Sequence, residues 1–518
     1  MNKRISVGIF FLIFVFLVCT INFSLQAQNE KKSTTTSYDN TPIKIGILRN
    51  HDLLTARMQA VAGNWKAKLF LKKNITATES SKLDEVVIEL PEGEEITLQS
   101  IAKGIIVRSS IQGEIKGYFG KVEFSDGWLL NIDFPNLPDF LCGSFLEVDF
   151  YQGNILFSTV QKLSEFLVSV VSIMSSTSEP EAIKAQIIAA RTFCLFSKSP
   201  QRHASDSYDV CDQFHCLPYL GKGFDRELVE LLVENQKNRV MLHQGKFFLP
   251  YYTDTCSGRL SSAKEIFGKE DLIHVAQDDR FDQKSAENCF HSAFFNWIRE
   301  MPEKMMSDFL TIAFSTNPNC TFNEWAPSSF DSSGRVTNVK LKGQIAREMD
   351  EPLKVEKMVT GQDFCDNSRR YFGPNAFPSM RFTIEPLSKS TVVNGRGKGL
   401  GVGMCLLGAD GMAKKGAKYS EILNFYYKNI TISPPPENQP ASNSRNISYQ
   451  LNATTSDVTK PGKNSQSAAK GAKPAGKSSQ TTVKTAQTSG KDTQSGTKTS
   501  NQQPLAKGTA INNTNSIK

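Results

Sequence analysis

The chain has 518 residues, which is too many for one hydrophobic core and enough for two or three domains. Its formal net charge is +8, but ten lysines set against Asp457 and Asp492 between residues 456 and 518 account for all of this excess. The rest of the chain is close to neutral. The charge therefore gives no reason to expect a nucleic-acid-binding protein, and we predict no nucleic-acid partner.

Residues 1–27 are typical of a secretory signal, with Lys3 and Arg4, an apolar run over 5–21 and a plausible cleavage site at Ala27. The run is long for a signal core, so an uncleaved membrane anchor is an alternative. A lipoprotein modified at Cys19 is a third, although Val18 is a poor match to such a site. We therefore expect an exported protein of the periplasm or cell envelope.

The remaining chain divides by composition into four parts. Residues 28–41 are predicted to be a linker, 42–153 a β-rich N-terminal domain, 154–432 a mixed α/β domain, and 433–518 a disordered tail that begins at three prolines. The predicted fold class is α+β, with strands first and helices grouped later. The basic tail either contacts an anionic surface, such as membrane or wall polymer, or is simply solvated.

Alternating apolar residues predict strands, and helical spacing predicts helices. The predicted strands include 43–48, 65–71, 85–90 and 115–119. Helices are predicted at 164–175, 180–197 and 225–236. A hairpin should join 239–243 to 246–252 through a turn at 244–245. Further helices are expected near 294–309, 406–417 and 419–427, with an extended segment at 378–393.

The helix at 180–197 begins with signals of its own. Ser178 is a plausible N-cap, Pro180 suits the first turn, and Glu181 three residues after the serine completes a capping box. One apolar face carries Ile183, Ile187, Ala190 and Cys194.

Ten cysteines are present, and nine remain if Cys19 leaves with the signal. Disulfides are the default expectation in an exported protein. Cys142 and Cys194 lie in apolar surroundings that favour plain core residues. Cys289, Cys320 and Cys365 lie in polar stretches, which makes them the better disulfide candidates.

Four potential metal ligands fall within fourteen positions: His203, Cys211, His215 and Cys216. Two nitrogens and two sulfurs would complete a tetrahedral, structural zinc site. A Cys211–Cys216 disulfide or free thiols are the alternatives.

Five segments, in order over residues 155–430, resemble the SpoIID/LytB family, named after stage II sporulation protein D. EAIKAQIIAART (181–192) resembles the family's EALKAQAVAART, and YDVCDQFHC (208–216) resembles its YDLCDTTHC. YTDTCSGRLSSAKEIFG (252–268) resembles FHSSCGGRTESAEDVWG. GRGKGLGVGMCLLGA (395–409) resembles GRGWGHGVGMSQWGA, and YSEILNFYY (419–427) resembles the closing YxEILxHYYPG.

The resemblance implies action on peptidoglycan. Characterised members of the family are lytic transglycosylases that act on glycan strands stripped of peptides. Other members enhance a wall amidase. The family's YDLCDTTHC segment binds zinc, which supports the metal interpretation.

A transglycosylase of this kind needs one carboxyl group that acts first as acid and then as base. The family's acidic residue falls on Ile173 in this chain, so Glu181 and Glu179 are the remaining candidates. In the glycine-rich segment Leu400, Cys405 and Leu406 replace the family's His, Ser and Gln. These apolar replacements weaken the case for an intact active site.

The alternating glycines lack the Lys-Ser/Thr of a nucleotide-binding loop, so they predict close backbone approach to a strand or a glycan. We take Arg191, Gly397, Gly401 and Gly403 as candidate substrate-binding residues. Arg396 and Lys398 could meet a lactyl or phosphate-type anion. The sequence thus favours a lytic transglycosylase. The alternative is a non-catalytic peptidoglycan-binding module that activates a wall amidase.

Overall fold

The fold is taken from a computed structural model. It describes residues 38–433 except 48–52, 72–84, 135–138, 144, 199–202, 204–206, 214, 281–283 and 349. The predicted signal, most of the linker and nearly all of the tail lie outside these residues. No helix in the described part of the chain is long and apolar enough to cross a membrane.

Strands fill the first third of the described chain, and alternation of apolar and polar side chains explains them. In β2, for example, Met58 and Ala60 are buried while Arg57 and Gln59 face solvent. The strands predicted at 43–48, 65–71, 85–90 and 115–119 are confirmed. The bounds are β1 (Pro42–Ile47), β2 (Thr55–Ala62), β3 (Trp65–Leu71), β4 (Glu85–Leu90), β5 (Glu95–Ile101), β6 (Gly104–Ser109), β7 (Gly113–Ser125), β8 (Leu129–Asp133), β9 (Phe140–Cys142), β10 (Leu146–Tyr151) and β11 (Asn154–Lys162).

These strands belong to one sheet that continues beyond the predicted domain boundary at 153/154. That boundary falls in the turn between β10 and β11, which pair antiparallel. β11 also pairs antiparallel with β1, and the short β12 (Val210–Cys211) adds to the other side of β1 in parallel. The N-terminal strands and the region after them therefore share backbone hydrogen bonds.

Three helices follow: α1 (Leu163–Met174), α2 (Pro180–Ser197) and α3 (Glu227–Asn235). They confirm the three helices predicted here. α2 is buried along almost its whole length and lies between two cores. Ile183 and Ile187 belong to the core under the large sheet. Ala185 and Ile188 belong to a second core that α2 shares with the C-terminal helices.

The start of α2 differs from the prediction. Its N-cap is Glu179 rather than Ser178, and no side chain caps it. The predicted capping box is therefore absent, because Pro180 already sets the first turn and the Glu181 carboxylate is engaged elsewhere.

Short sheets and helices make up the rest of the described chain. The bounds are β13 (Val240–Leu242), β14 (Tyr252–Thr253), β15 (Arg259–Leu260), α4 (Ala263–Phe267), β16 (Gln277–Asp278), β17 (Trp297–Pro302), α5 (Glu303–Phe314), β18 (Cys320–Phe330), β19 (Val336–Ile345), β20 (Leu353–Thr360), α6 (Gly361–Phe372), β21 (Phe382–Pro386), β22 (Ser390–Gly395), β23 (Met404–Cys405), α7 (Leu406–Lys414), α8 (Tyr419–Tyr426) and β24 (Thr431–Ser433). The order β17-β22-β21 forms one three-stranded sheet and β18-β19-β20 another. Both enclose a third core, rich in aromatic residues. The described chain is thus mixed and strand-rich.

Two local predictions are wrong. The hairpin after β13 closes with only one bridge, His243 to Lys246, because β13 takes β24 as its partner instead. The helix expected near 294–309 begins only at Glu303. Trp297 and Met301 point inward from a strand that pairs with β22, and Pro302 marks the change to α5.

Candidate functional site

The Glu181 carboxylate links α2 to α8. Its Oε1 lies 2.8 Å from Lys184 Nζ, and its Oε2 accepts a 2.9 Å hydrogen bond from the Tyr419 N–H. Burial raises the pKa of this carboxyl, but Lys184 and the Tyr419 amide outweigh burial, so the pKa falls below its ordinary value. A general acid needs a raised pKa, and Glu181 shows the opposite direction.

Glu179 is different. It is half-buried at the start of α2, and its backbone N–H donates to Thr177 Oγ1 at 2.9 Å. Within the described chain its carboxylate makes no hydrogen bond or ion pair. It is therefore the predicted acid whose carboxylate stays uncommitted.

A buried carboxylate that sequence reasoning missed is bonded to Thr177, whose hydroxyl also accepts the Glu179 N–H. Asp410, on α7, accepts a hydrogen bond from the Thr177 hydroxyl, and its Oδ2 lies 2.8 Å from His291 Nε2 and 2.7 Å from Lys414 Nζ. The sequence feature that could have revealed Asp410 is its position as the one acidic residue in the largely apolar stretch Leu406–Lys414. The group joins the start of α2 to α7 by ionic hydrogen bonds.

The four predicted metal ligands come together. His203 Nε2 lies 3.2 Å from Cys216 Sγ, and Cys211 Sγ lies 3.4 Å from His215 Nε2. All four ligand atoms lie within 4.8 Å of one another. In a tetrahedral zinc site the sulfur–nitrogen separation is about 3.5 Å, so this donor set fits zinc. Cys211 and Cys216 do not form the alternative disulfide.

None of the nine described cysteines forms a disulfide, and all nine are buried. The expectation of disulfides at Cys289, Cys320 and Cys365 is therefore wrong in this structure. Cys320 lies in the third core, and the Cys365 thiol faces the Ser379 carbonyl. Cys142 and Cys194 are core residues, as predicted.

The glycine-rich loop packs against protein backbone. Gly397, Gly401 and Gly403 all have positive φ, a region that favours glycine. A Cβ would lie 2.6 Å from Thr255 O at Gly397 and 1.9 Å from Tyr251 O at Gly403. These contacts are to the backbone on either side of β14, which agrees with the prediction of close approach to a strand.

Arg191 has no exposed surface, so in this structure it cannot reach a ligand. Its Nε donates to Asp39 Oδ1 at 2.8 Å and its Nη1 donates to the Arg239 carbonyl at 3.1 Å. The predicted substrate-binding arginine thus ties the chain before β1 to α2, which is a structural role.

A cleft of about 330 Å³ opens beside the glycine-rich loop and contains four arginines. Its walls are Ser257, Gly258, Arg259, Asp278, Arg280, Glu287, Arg381 and Arg396. Arg259 pairs with Asp278 at 2.7 Å and Arg280 with Glu287 at 2.6 Å.

The cleft carries a surplus of positive charge because its other two arginines are not ion-paired within the described chain. Arg381 donates to the Ser257 carbonyl at 2.9 Å, and Arg396 lies over the Phe295 ring. Neither forms an ion pair with a described carboxylate. Burial, together with Arg335 and Arg396, lowers the pKa of Arg381 to about 10. Lys398, the other predicted anion contact, pairs with Asp254 instead.

Comparisons with known proteins agree with the sequence resemblance. Residues 151–243 match the family model described as Stage II sporulation protein. The chain is 28% identical to an uncharacterized protein of Brachyspira hyodysenteriae over 49% of this chain and 61% of that protein. It is 22% identical to the amidase enhancer of Bacillus subtilis over 49% of this chain and 38% of that protein. It is 24% identical to stage II sporulation protein D of Bacillus subtilis over 52% of this chain and 74% of that protein. The chain thus spans less than two thirds of the first two relatives. The family resemblance is confirmed.

Proposed function

We propose that this chain, which resembles the SpoIID/LytB family, is an exported cell-wall protein that binds peptidoglycan glycan strands stripped of their peptides. The observation that carries the proposal is the arginine cleft. Removal of the peptide leaves a free lactyl carboxylate on each muramic acid, whereas in intact peptidoglycan that carboxyl is part of an amide. Arg381 and Arg396, which lack carboxylate partners among the described residues, are suited to such an anion.

Three observations support a binding module that activates a wall amidase. Ile173 and Leu400 stand where the family has polar residues, and the Glu181 carboxyl has a lowered pKa. The relative named amidase enhancer supports a wall amidase as partner.

A lytic transglycosylase, the function that the sequence favoured, is the second candidate, and Glu179 carries it. Its uncommitted carboxyl would protonate the glycosidic oxygen and then take the proton of the muramic acid 6-hydroxyl as that oxygen closes onto the anomeric carbon. The product would carry an anhydromuramic end.

Zinc is proposed for the His203, Cys211, His215 and Cys216 site. The ion would supply a closed, four-coordinate cross-link between β12 and the segments before and after it. It would have no part in sugar chemistry, since all four positions are filled by protein.

The test uses the full chain with peptide-stripped glycan strands and, separately, with intact strands. We expect co-sedimentation with the stripped strands, and a loss of at least tenfold in affinity in the Arg381→Ala/Arg396→Ala double variant. Arg57→Ala, an exposed and ion-paired residue of β2, is the matched control and should bind normally. Equal binding to both kinds of strand, or none, would contradict the proposal.

Mass spectrometry of the released material separates the two candidates. Anhydromuramic fragments that disappear in Glu179→Gln would establish the transglycosylase. Bound but uncut strands, with faster cleavage by an added wall amidase, would establish the binding module.

A further inference from the structure

A second group of potential metal ligands lies far from the first in sequence and was not expected. Cys256 follows β14, Asp279 follows β16, Cys289 lies in a turn, and Cys405 is the N-cap of α7. All four side chains are buried. Their ligand atoms lie within 4.8 Å of one another.

The separations suit tetrahedral coordination. Cys256 Sγ lies 3.7 Å from Cys289 Sγ and 3.0 Å from Asp279 Oδ2. Bond lengths of about 2.3 Å to sulfur and about 2.1 Å to oxygen give edges of about 3.8 Å between two sulfurs and about 3.5 Å between sulfur and oxygen. A small shift of the Asp279 carboxylate away from Cys256 Sγ would complete the tetrahedron of four ligand atoms.

The surroundings are arranged as around a bound metal. Two backbone N–H groups, of Cys256 and Gly408, donate to Cys405 Sγ at 3.3 Å each, and such bonds stabilise a thiolate. The second carboxylate oxygen, Asp279 Oδ1, accepts bonds from the Tyr426 hydroxyl at 2.7 Å and from Asn288 Nδ2 at 3.1 Å. These bonds leave Oδ2 directed toward the sulfurs.

A buried cation beside the cluster is the independent observation. Arg335 is fully buried, and its Nη2 donates to the Cys256 carbonyl at 3.1 Å. No described carboxylate forms an ion pair with its guanidinium, and its Nε has no partner among the described residues. Its Nη1 reaches the Asp331 carboxylate only through the hydroxyls of Ser261 and Ser333. A buried charge without a direct carboxylate partner is costly. A divalent ion with three thiolates and one carboxylate carries net negative charge, which Arg335 would offset.

Neither a disulfide nor plain packing accounts for this set. A disulfide would use two of the three sulfurs and leave the third thiol beside a buried carboxylate. Ordinary core cysteines pack against apolar groups and need no carboxylate. A metal ion satisfies all four groups at once.

We propose that Cys256, Asp279, Cys289 and Cys405 bind a second structural zinc ion as three thiolates and one carboxylate. On binding, each thiol releases its proton to solvent and its sulfur donates an electron pair to the metal. The ion would brace the floor of the arginine cleft, because cleft residues Ser257, Asp278 and Glu287 lie one or two positions from ligands. The proposal stands independently of the proposed function.

The experiment measures metal content of the full chain, purified with a thiol reductant, together with the Cys405→Ser and Cys216→Ser variants. Serine is a good N-cap and can still accept the Gly408 N–H, so Cys405→Ser should fold. We expect it to lose one zinc equivalent relative to the unaltered chain. Cys216→Ser should lose the other equivalent, and the double variant both. Cys365→Ser, a buried cysteine outside both groups, should lose none.

Cobalt(II) substitution identifies the ligands. The intensity of thiolate-to-cobalt charge transfer grows with the number of sulfurs, so the metal retained in Cys216→Ser should give the stronger band. Equal zinc content in Cys405→Ser and the unaltered chain would overturn the proposal. So would a disulfide among these three cysteines, found by mass spectrometry after alkylation in denaturant, in metal-free protein.

Discussion

Gly401 lies where the glycine-rich loop passes over the buried Arg335 guanidinium. Its φ is +78°, and an added Cβ would lie 2.1 Å from Arg335 Cζ. Gly401→Ala should therefore cost both backbone strain and displacement of a buried cation. We expect a loss of about 3 kcal/mol or more in the free energy of unfolding, measured by denaturant titration.

Gly416→Ala is the matched control for that substitution. Its φ is +92°, but nothing lies within 4 Å of the added Cβ. It should lose only the backbone component, about 1 kcal/mol. If both variants lost the same amount, close packing against Arg335 would not be what requires glycine at 401.

Asp271 gives the unfolding free energy a pH dependence. Its Oδ2 lies 2.5 Å from His274 Nδ1, and its Oδ1 accepts the Ile273 N–H at 2.7 Å. Burial raises the pKa of Asp271, but the bond to His274 and the backbone bonds outweigh it and lower the pKa to about 2. Because the folded pKa is the lower one, the Asp271 carboxylate contributes its full stabilisation above its unfolded pKa, about 3.9. This stabilisation is lost as the pH falls toward 2.

We expect Asp271→Asn to remove about 1–2 kcal/mol of stability at pH 6 and to flatten the decline between pH 4 and pH 2. Denaturant titrations at a series of pH values would measure this. Asp308→Asn, an exposed aspartate of α5, is the control and should follow the unaltered chain. Parallel curves for Asp271→Asn and the unaltered chain would contradict the assignment.

Between elements, Glu181 connects the first turn of α2 to the first turn of α8. Glu181→Gln keeps the shape but loses the charge that meets Lys184 and the Tyr419 N–H. We expect a loss of about 1 kcal/mol in stability and unchanged binding to stripped glycan strands. Loss of binding without loss of stability would instead show that Glu181 contacts the glycan.

The sequence predicts the elements whose formation depends on residues within the element itself. Apolar spacing located α1 and α2 within one residue, because each helix is long and amphipathic or fully buried. It missed β17 and the pairing of β13 with β24, because the partners lie far along the chain. The same distinction applies to the sites. His203 and Cys216 lie 13 positions apart in sequence, whereas Cys256 and Cys405 lie 149 positions apart and meet only through the fold.

For the whole molecule, the large sheet makes a separation at residue 153 costly. A fragment that begins at 154 keeps β11 but loses β1 and β10 on its two sides. Phe157 and Val160, now buried, would be exposed together with open strand edges. We expect this fragment to aggregate or to show no sharp thermal transition by circular dichroism. A soluble fragment with the melting temperature of the full chain would show that the two regions fold separately.

The position of α2 between two cores has a consequence for how the molecule melts. Neither core is complete without this helix, since Ile187 fills one and Ile188 the other. Loss of either core should therefore remove the support of its neighbour, and these two cores should unfold together. Differential scanning calorimetry should then give one peak for the two cores that share α2, with calorimetric and van 't Hoff enthalpies that agree for that peak. A ligand that binds to the core on one side of α2 should therefore also raise the melting temperature of the core on the other side.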